Sequence, residues 1–259
     1  PGALPPPSRQ LRVLLVDDDP VNCEVGEAML NRLGHHATIA TNGASAVTLA
    51  RDQAFDVILM DLHMPDMDGV EAASRIGKLG LPKMPRIIAV TADVSSSARE
   101  RLAGAGIAKI VSKPILVNAL REAIEDDPAQ ETTATQLAAG ALIDRHFLDD
   151  QRELLGAAQI EKLHHLLDET SARLIDDVAK AAAVGDHAQL ARSAHQLGSA
   201  AGTLGLVRLF EHCRDVELAA PAMSPRERQT AARELAALQE ASMSALNDLL
   251  RPAEQRSGS

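Results

Sequence analysis

VILMDLHMPDMDG, residues 57–69, is the stretch whose reading decides the fold. Its first four residues are apolar without alternation, as in a strand of a parallel sheet covered on both faces. Asp61 follows at once, and a helical period takes over near Val70–Lys78. The same succession repeats on either side. Leu11–Val16 is an apolar strand broken only by Arg12, and Thr38–Ala40, Ile87–Val90 and Ile107–Val111 read as further strands. Helical stretches near Ala44–Arg51, Ser96–Ala105 and Leu116–Glu125 fill the intervals. Asp19 is placed to cap the first helix, Pro20 suits its first turn, and Gly34 ends it. Apolar strands spaced by helices predict an α/β unit, a doubly wound five-stranded parallel sheet whose site forms at the C-terminal strand ends.

Chemistry-bearing residues stand at those ends. Asp17 and Asp18 follow LLV, Asp61 follows VILM, Thr91 closes IIAV, and Lys113 follows KIVS. Taken singly, an Asp run after a strand is usually a solvated turn and a Lys-Pro pair a surface loop. Their joint placement at four strand ends is hard to obtain by chance. Three carboxylates on one rim repel one another unless a divalent cation sits among them, and hard oxygen ligands in a small open cage suit Mg²⁺ (or Mn²⁺). A cation, an ammonium and a hydroxyl around one carboxylate make a phosphoryl-transfer site, with that carboxylate as nucleophile.

After about Asp126 the pattern changes. DDPAQETTATQLAAG, residues 126–140, lacks periodicity and reads as a linker. Ile143–Leu155, Ala157–Val184, His187–Leu204, Leu206–Leu218 and Pro225–Leu250 then carry helical periods, punctuated by Gly156, Gly185, Gly205 and Pro221. The predicted organisation is a tail over residues 1–9, an α/β domain over 10–126, a linker over 127–142, an all-α bundle over 143–250 and a disordered tail over 251–259.

Composition narrows the function. The 259 residues carry a formal net charge of -10, which argues against nucleic-acid or anionic-membrane surfaces. Aromatic residues make up 1% of the chain, so stacking on bases has almost nothing to work with. No apolar run is long enough to span a bilayer. The start, PGALPPPSRQ, has neither the basic segment nor the apolar core of a signal peptide, so a cytoplasmic chain is expected. It has no initiator Met, which suggests a piece of a longer chain. Cys23 and Cys213 have no metal-like spacing and read as buried thiols in a reducing compartment.

Most of the nine histidines carry no pattern. His35 and His36 lie in a turn and read as solvated; His164 and His165, adjacent on a helix, point about 100° apart. His146, His187 and His212 have no partner pattern. His195 differs. Leu190, Ala194, Leu197, Ala201 and Leu204 form an apolar stripe, and His195 sits roughly 140° away from it, toward solvent. Its helical neighbours are small: Ala191, Gly198, Ser199 and Gly202. Two helical glycines cost about 1 kcal/mol each relative to Ala, which implies a compensating benefit. A neutral imidazole is an available nucleophile near neutral pH.

The strings VLLVDDDPVN, VILMDLHMPDMDG, IIAVTAD and IVSKP closely resemble the receiver domain of response regulators and hybrid sensor kinases, over about residues 10–126. The resemblance implies that Asp61 is the phosphoacceptor, that Asp18 is a metal ligand, and that Asp17 holds the metal through water. It further implies that the backbone carbonyl of His63 completes the protein ligands and that the Lys113–Pro114 bond is cis. Thr91 would bind the phosphoryl group and Lys113 would pair with one of its oxygens. Receivers often carry Tyr or Phe three residues before the Lys; here Ile110 stands there, which suits a relay intermediate better than an output switch. His63 is read either as tuning dephosphorylation or as an inert loop side chain.

AHQLGSAAGTLGL, residues 194–206, resembles the phosphohistidine motif of histidine-phosphotransfer domains, and that likeness covers about residues 143–250. The family often has Lys three residues after the His and Gly at the fourth. Here Gly198 and Ser199 hold those positions, and Arg192, one turn earlier, is a candidate to compensate charge. Together the two resemblances imply a phosphorelay: Asp61 accepts from an upstream histidine kinase domain, and His195 relays to a downstream response regulator. No ATP-binding kinase domain is recognisable, so the segment fits the C-terminal part of a hybrid histidine kinase, with a freestanding relay protein as the other form. One alternative is a receiver switch with a non-catalytic dimerisation or partner-binding bundle. Another is a phosphate sink that uses the same residues in reverse.

Overall fold

A computed structural model describes residues 9–91, 102, 104–125 and 140–251. The chain divides between residues 135 and 136 into two compact units. The expected helix near Ser96–Ala105 falls mostly, and the N-terminal, linker and C-terminal stretches almost wholly, outside the described residues.

In the first unit β1 (Arg12–Val16), β2 (His36–Ala40), β3 (Val57–Asp61), β4 (Arg86–Thr91) and β5 (Ile107–Ser112) form one sheet in the order β2-β1-β3-β4-β5. Every pairing is parallel. The helices with described bounds are α1 (Pro20–Arg32), α2 (Gly43–Asp52), α3 (Gly69–Gly77) and α4 (Val117–Glu125). β3, at the centre, is buried at all five positions, which is why its sequence shows no alternation. Short polar side chains start the helices. Asp19 accepts from Val21 N and Asn22 N, Asn42 from Ser45 N, and Asp68 from Glu71 N. Leu14, Ile58, Met60, Ile76 and Ile87 lie in one of the apolar clusters. At about 1.5–3 kcal/mol for each buried large side chain, such clusters outweigh the surface ion pairs of the unit.

His35 departs from expectation: it is buried, not solvated. Gly34 takes φ 81° and turns the chain back so that His35 N bonds to Leu30 O at 2.9 Å. Nδ1 of His35 accepts from Leu11 N at 3.4 Å, and Nε2 faces Glu125 Oε1 at 3.7 Å. The ring thus touches the residue that leads into β1 and the last residue of α4.

The second unit is helical: α5 (Arg145–Leu155), α6 (Ala157–Val184), α7 (His187–Thr203), α8 (Val207–Ala219), a 3₁₀ turn (Ala220–Ala222) and α9 (Pro225–Leu250). The apolar stripe of α7 is fully buried. His187 and His212, read as lacking partners, have them. Arg228, buried on α9, donates from Nη1 to Met223 O at 2.9 Å and to His187 Nε2 at 3.2 Å. Nδ1 of His187 in turn donates to Ala220 O at 2.5 Å. His212 faces Glu234 at 3.4 Å. The two contacts of the His187 ring join residues 33 and 41 positions apart, beyond any local spacing rule. Among the described residues no helix is long and apolar enough to cross a membrane.

Burial lowers the pKa of His35, against a smaller opposing effect of Glu125. The fold therefore favours the neutral ring, and its contribution is fully present above the ordinary imidazole value of about 6.5 and is lost as pH falls below it. Between pH 7.5 and 5.5, thermal unfolding of the first unit is expected to lose more stability in the wild type than in His35→Gln. Parallel pH profiles would refute this.

Candidate functional site

Strand register assembles the first site. Val16 pairs with Ala40 and Met60, Asp61 with Val90, and Thr91 with Ser112. The C-terminal ends of β1, β3, β4 and β5 therefore stand side by side, and Asp17, Asp61, Thr91 and Lys113 emerge on one rim. Asp17, Asp61 and Lys113 are buried, and Thr91 is fully so. Lys113 N donates to Thr91 O at 2.9 Å, and the Lys113–Pro114 peptide bond is cis.

The side chains converge. Nζ of Lys113 donates to Asp61 Oδ2 at 2.8 Å and to Asp17 Oδ2 at 2.9 Å. Asp17 Oδ1 accepts from Asp19 N at 2.9 Å and from Asn22 Nδ2 at 3.1 Å. Asp61 Oδ1 accepts from the backbone N–H of His63 at 3.1 Å. Carboxylate oxygens of Asp17, Asp18 and Asp61 lie within 4.8 Å of one another. These are hard donors grouped closely enough to share a small divalent cation. Burial pushes Asp17 up to about 7 against the opposing pull of Lys113, and it pushes Asp19 up to about 6. For Lys113, burial acts to lower its pKa, but Asp17 and Asp61 outweigh it and hold the ammonium above its ordinary range. Ile110, at the position where an aromatic was considered, packs against the apolar core.

The Asp61 backbone is itself held tightly. A Cβ added at Gly69, the first residue of α3, would lie 2.1 Å from Asp61 O. Only glycine lets that helix start so close to the end of β3.

The second site lies on α7. Both carboxylate oxygens of Glu217, on α8, are 3.0 Å from Nδ1 of His195. A carboxylate only accepts, so Nδ1 carries the proton and the lone pair of the neutral ring belongs to Nε2. The ring lies against α8, where the sequence pointed it toward open solvent. The glycines also have a different role from the small-residue bed inferred for them. A Cβ at Gly198 would lie 2.8 Å from Cys213 Cβ, and one at Gly202 would lie 3.1 Å from the Phe210 ring. Partners on α8 fall in number as positions on α7 rise, so the two helices run antiparallel in close contact. That contact brings Glu217 to His195. Arg192 is engaged by Gln189 Oε1 at 2.8 Å on its own helix.

Sequence reasoning missed Asn22 and Glu217. Asn22 stood inside the quoted DDDPVN string, five residues past Asp17. Glu217 is 22 residues from His195, and only the register of the α7–α8 hairpin relates them. Cys23 and Cys213 are unbridged and buried, as expected, and burial raises both thiols, Cys23 to about 12.

Residues 13–125 match the model of the response regulator receiver domain, and residues 145–250 match that of the Hpt domain. The sensor histidine kinase AruS of Pseudomonas aeruginosa is 33% identical over 232 residues, which is 87% of this chain and 23% of that protein. The aerobic respiration control sensor protein ArcB of Escherichia coli K12 is 28% identical over 212 residues, 78% of this chain and 27% of that protein. The chain thus spans about a quarter of the length of these relatives. Among solved structures, the receiver domain of a Pseudomonas aeruginosa PAO1 sensor histidine kinase is 36% identical, covers 45% of this chain and 95% of its own, and has a TM-score of 0.42. That structure is described with a magnesium ion in its active-site cleft.

Gly69→Ala forces α3 away from Asp61, and overpacking of this kind costs roughly 1–3 kcal/mol. The variant is expected to unfold at lower temperature. Unchanged melting would show that the contact relaxes without consequence.

Proposed function

Since the chain carries a response regulator receiver domain followed by an Hpt domain, as phosphorelay segments of two-component systems do, we propose that Asp61 and His195 are its two phosphoryl carriers. The carrying observation is one chain that offers a buried carboxylate held by Lys113 and an imidazole whose Nδ1 is held by Glu217. Asp61 accepts from the phosphohistidine of an upstream histidine kinase domain. His195 takes a phosphoryl group from a receiver aspartate and passes it to a downstream response regulator. The chain is read as a cytoplasmic part of a longer hybrid kinase.

In the first step a carboxylate oxygen of Asp61 attacks phosphorus. The P–N bond breaks, its electron pair returns to the donor imidazole, and an acyl phosphate forms. Lys113 is placed to offset charge on the phosphoryl oxygens, and Thr91, on the same rim, is the candidate hydroxyl contact. In the second step Nε2 of His195 attacks an aspartyl phosphate. The P–O bond breaks, the carboxylate leaves, and a phosphoramidate forms while Nδ1–H stays with Glu217. The Glu217 charge offsets the positive charge the ring gains.

Asp17, Asp18 and Asp61 fit Mg²⁺ or Mn²⁺ by donor type and spacing, with the His63 carbonyl as a further ligand. Such a cation would neutralise phosphoryl oxygens. Arrangement of the acids falls to this chain's own groups: the Lys113 ammonium and the N–H groups of Asp19, Asn22 and His63.

Phosphoryl label supplied from a phosphorylated kinase domain with Mg²⁺ tests the reading. Base-stable, acid-labile label is expected at His195 in the wild type and none in His195→Gln. Asp61→Asn is expected to abolish acceptance from the kinase. Glu217→Ala removes a charge-assisted hydrogen bond and is expected to slow His195 labelling roughly ten- to a hundredfold. If label reaches Asp61 and never His195, even with other phosphorylated receivers as donors, the helical unit is a partner-binding module.

A further inference from the structure

We propose that Asn22 is a positioning residue for the cation site, orienting the Asp17 carboxylate through the hydrogen bond from its side-chain amide. The inference rests on the divalent-cation reading above.

Asn22 lies in the first turn of α1 and is 7% exposed. Its backbone is fixed from one side: the Asp19 carboxylate accepts from Val21 N at 2.8 Å and Asn22 N at 3.1 Å. Its side chain reaches in the other direction, donating from Nδ2 to Asp17 Oδ1 at 3.1 Å. Asp19 N donates to that same oxygen at 2.9 Å. Two neutral donors on Oδ1 set the plane of the carboxylate and turn Oδ2 toward Lys113 Nζ, at 2.9 Å, on the side shared with Asp61. The Cys23 thiol, next along the helix, lies 3.2 Å from Asp17 O and anchors the backbone of the same residue.

Helix formation explains Asp19 and leaves Asn22 unexplained. The cap needs one acceptor, which Asp19 supplies, and Asn is a poorer helix former than Leu or Ala. A buried position served only by packing would take an apolar side chain. The amide donates instead to an oxygen of a candidate ligand. A buried carboxylate with fixed partners meets a cation already oriented, whereas one that has lost a donor is able to turn both oxygens toward Lys113, which competes with the cation. Asn22 thereby acts on the metal through Asp17.

The test uses the full chain with Mg²⁺ as the probe, comparing wild type, Asn22→Leu and Asn22→Ser. Leu keeps the skeleton branched at Cγ without a donor but is bulkier, and the Ser hydroxyl is shorter than the amide, so the smaller variant serves if Leu disturbs folding. Mg²⁺ binding by calorimetry and the Mg²⁺ dependence of Asp61 labelling are read alongside melting without Mg²⁺. Loss of a hydrogen bond to a charged group is expected to raise the Mg²⁺ midpoint about tenfold, with a much smaller change in the labelling plateau. In an Asp17→Asn background the Asn22 substitutions are expected to add nothing further. A lowered melting temperature with an unmoved Mg²⁺ midpoint makes Asn22 a structural residue only and overturns the proposal. Absence of Mg²⁺ binding by the wild type overturns the cation reading itself and this inference with it.

Discussion

The receiver unit depends on one buried ammonium. Lys113 stands between Asp17 and Asp61, 2.9 and 2.8 Å from their carboxylates, at the ends of β5, β1 and β3. At an effective dielectric constant of about 20, opposite charges 4 Å apart attract by roughly 4 kcal/mol, and like charges repel as strongly. Without Lys113, β1 and β3 would deliver two acids to the same buried rim with Asp18 beside them. The arrangement is one in which charge must be exchanged and not merely removed. Removing one partner of such a buried set typically costs about 3–5 kcal/mol, because the remaining charge is stranded. A site of this kind is prepared to receive positive charge among its acids and negative charge beside its lysine, as phosphoryl transfer requires.

The helical unit reaches its site through shape. Gly198 and Gly202 forgo about 1 kcal/mol each of helix propensity relative to Ala. In return the backbone of α7 comes close enough to α8 for Cys213 and Phe210 to pack on it. The same hairpin register brings Glu217 to His195. The tautomer of the His195 ring is therefore set by a packing contact between helices, one to two turns away from the glycines that permit it.

These two routes explain what was legible in the sequence. Strands declare themselves by composition, and in a parallel sheet their C-terminal ends coincide by construction, so Asp17, Asp61, Thr91 and Lys113 were readable as one group. Helices declare their faces but not their neighbours. Nothing in AHQLGSAAGTLGL indicates which residue of α8 meets His195, and the glycines looked like a bed for the ring until the hairpin gave them partners. His35, His187 and His212 were misjudged for the same reason: each has a partner on another element. Asn22 was visible but seemed only part of a motif string, because a side chain facing back across its own helix cap has no periodic signature.

The contacts of His35 carry a consequence for modular architecture. One imidazole touches both Leu11, where the chain enters the first unit, and Glu125, where α4 ends. The entry to β1 and the end of α4 are thus bridged by a single side chain. A module with adjoining ends can be spliced into a polypeptide, or cut out of one, while its flanking segments stay almost equally close together. A receiver built this way is suited to reshuffling among chains of different length, since gaining or losing it leaves the spacing between its neighbours nearly unchanged.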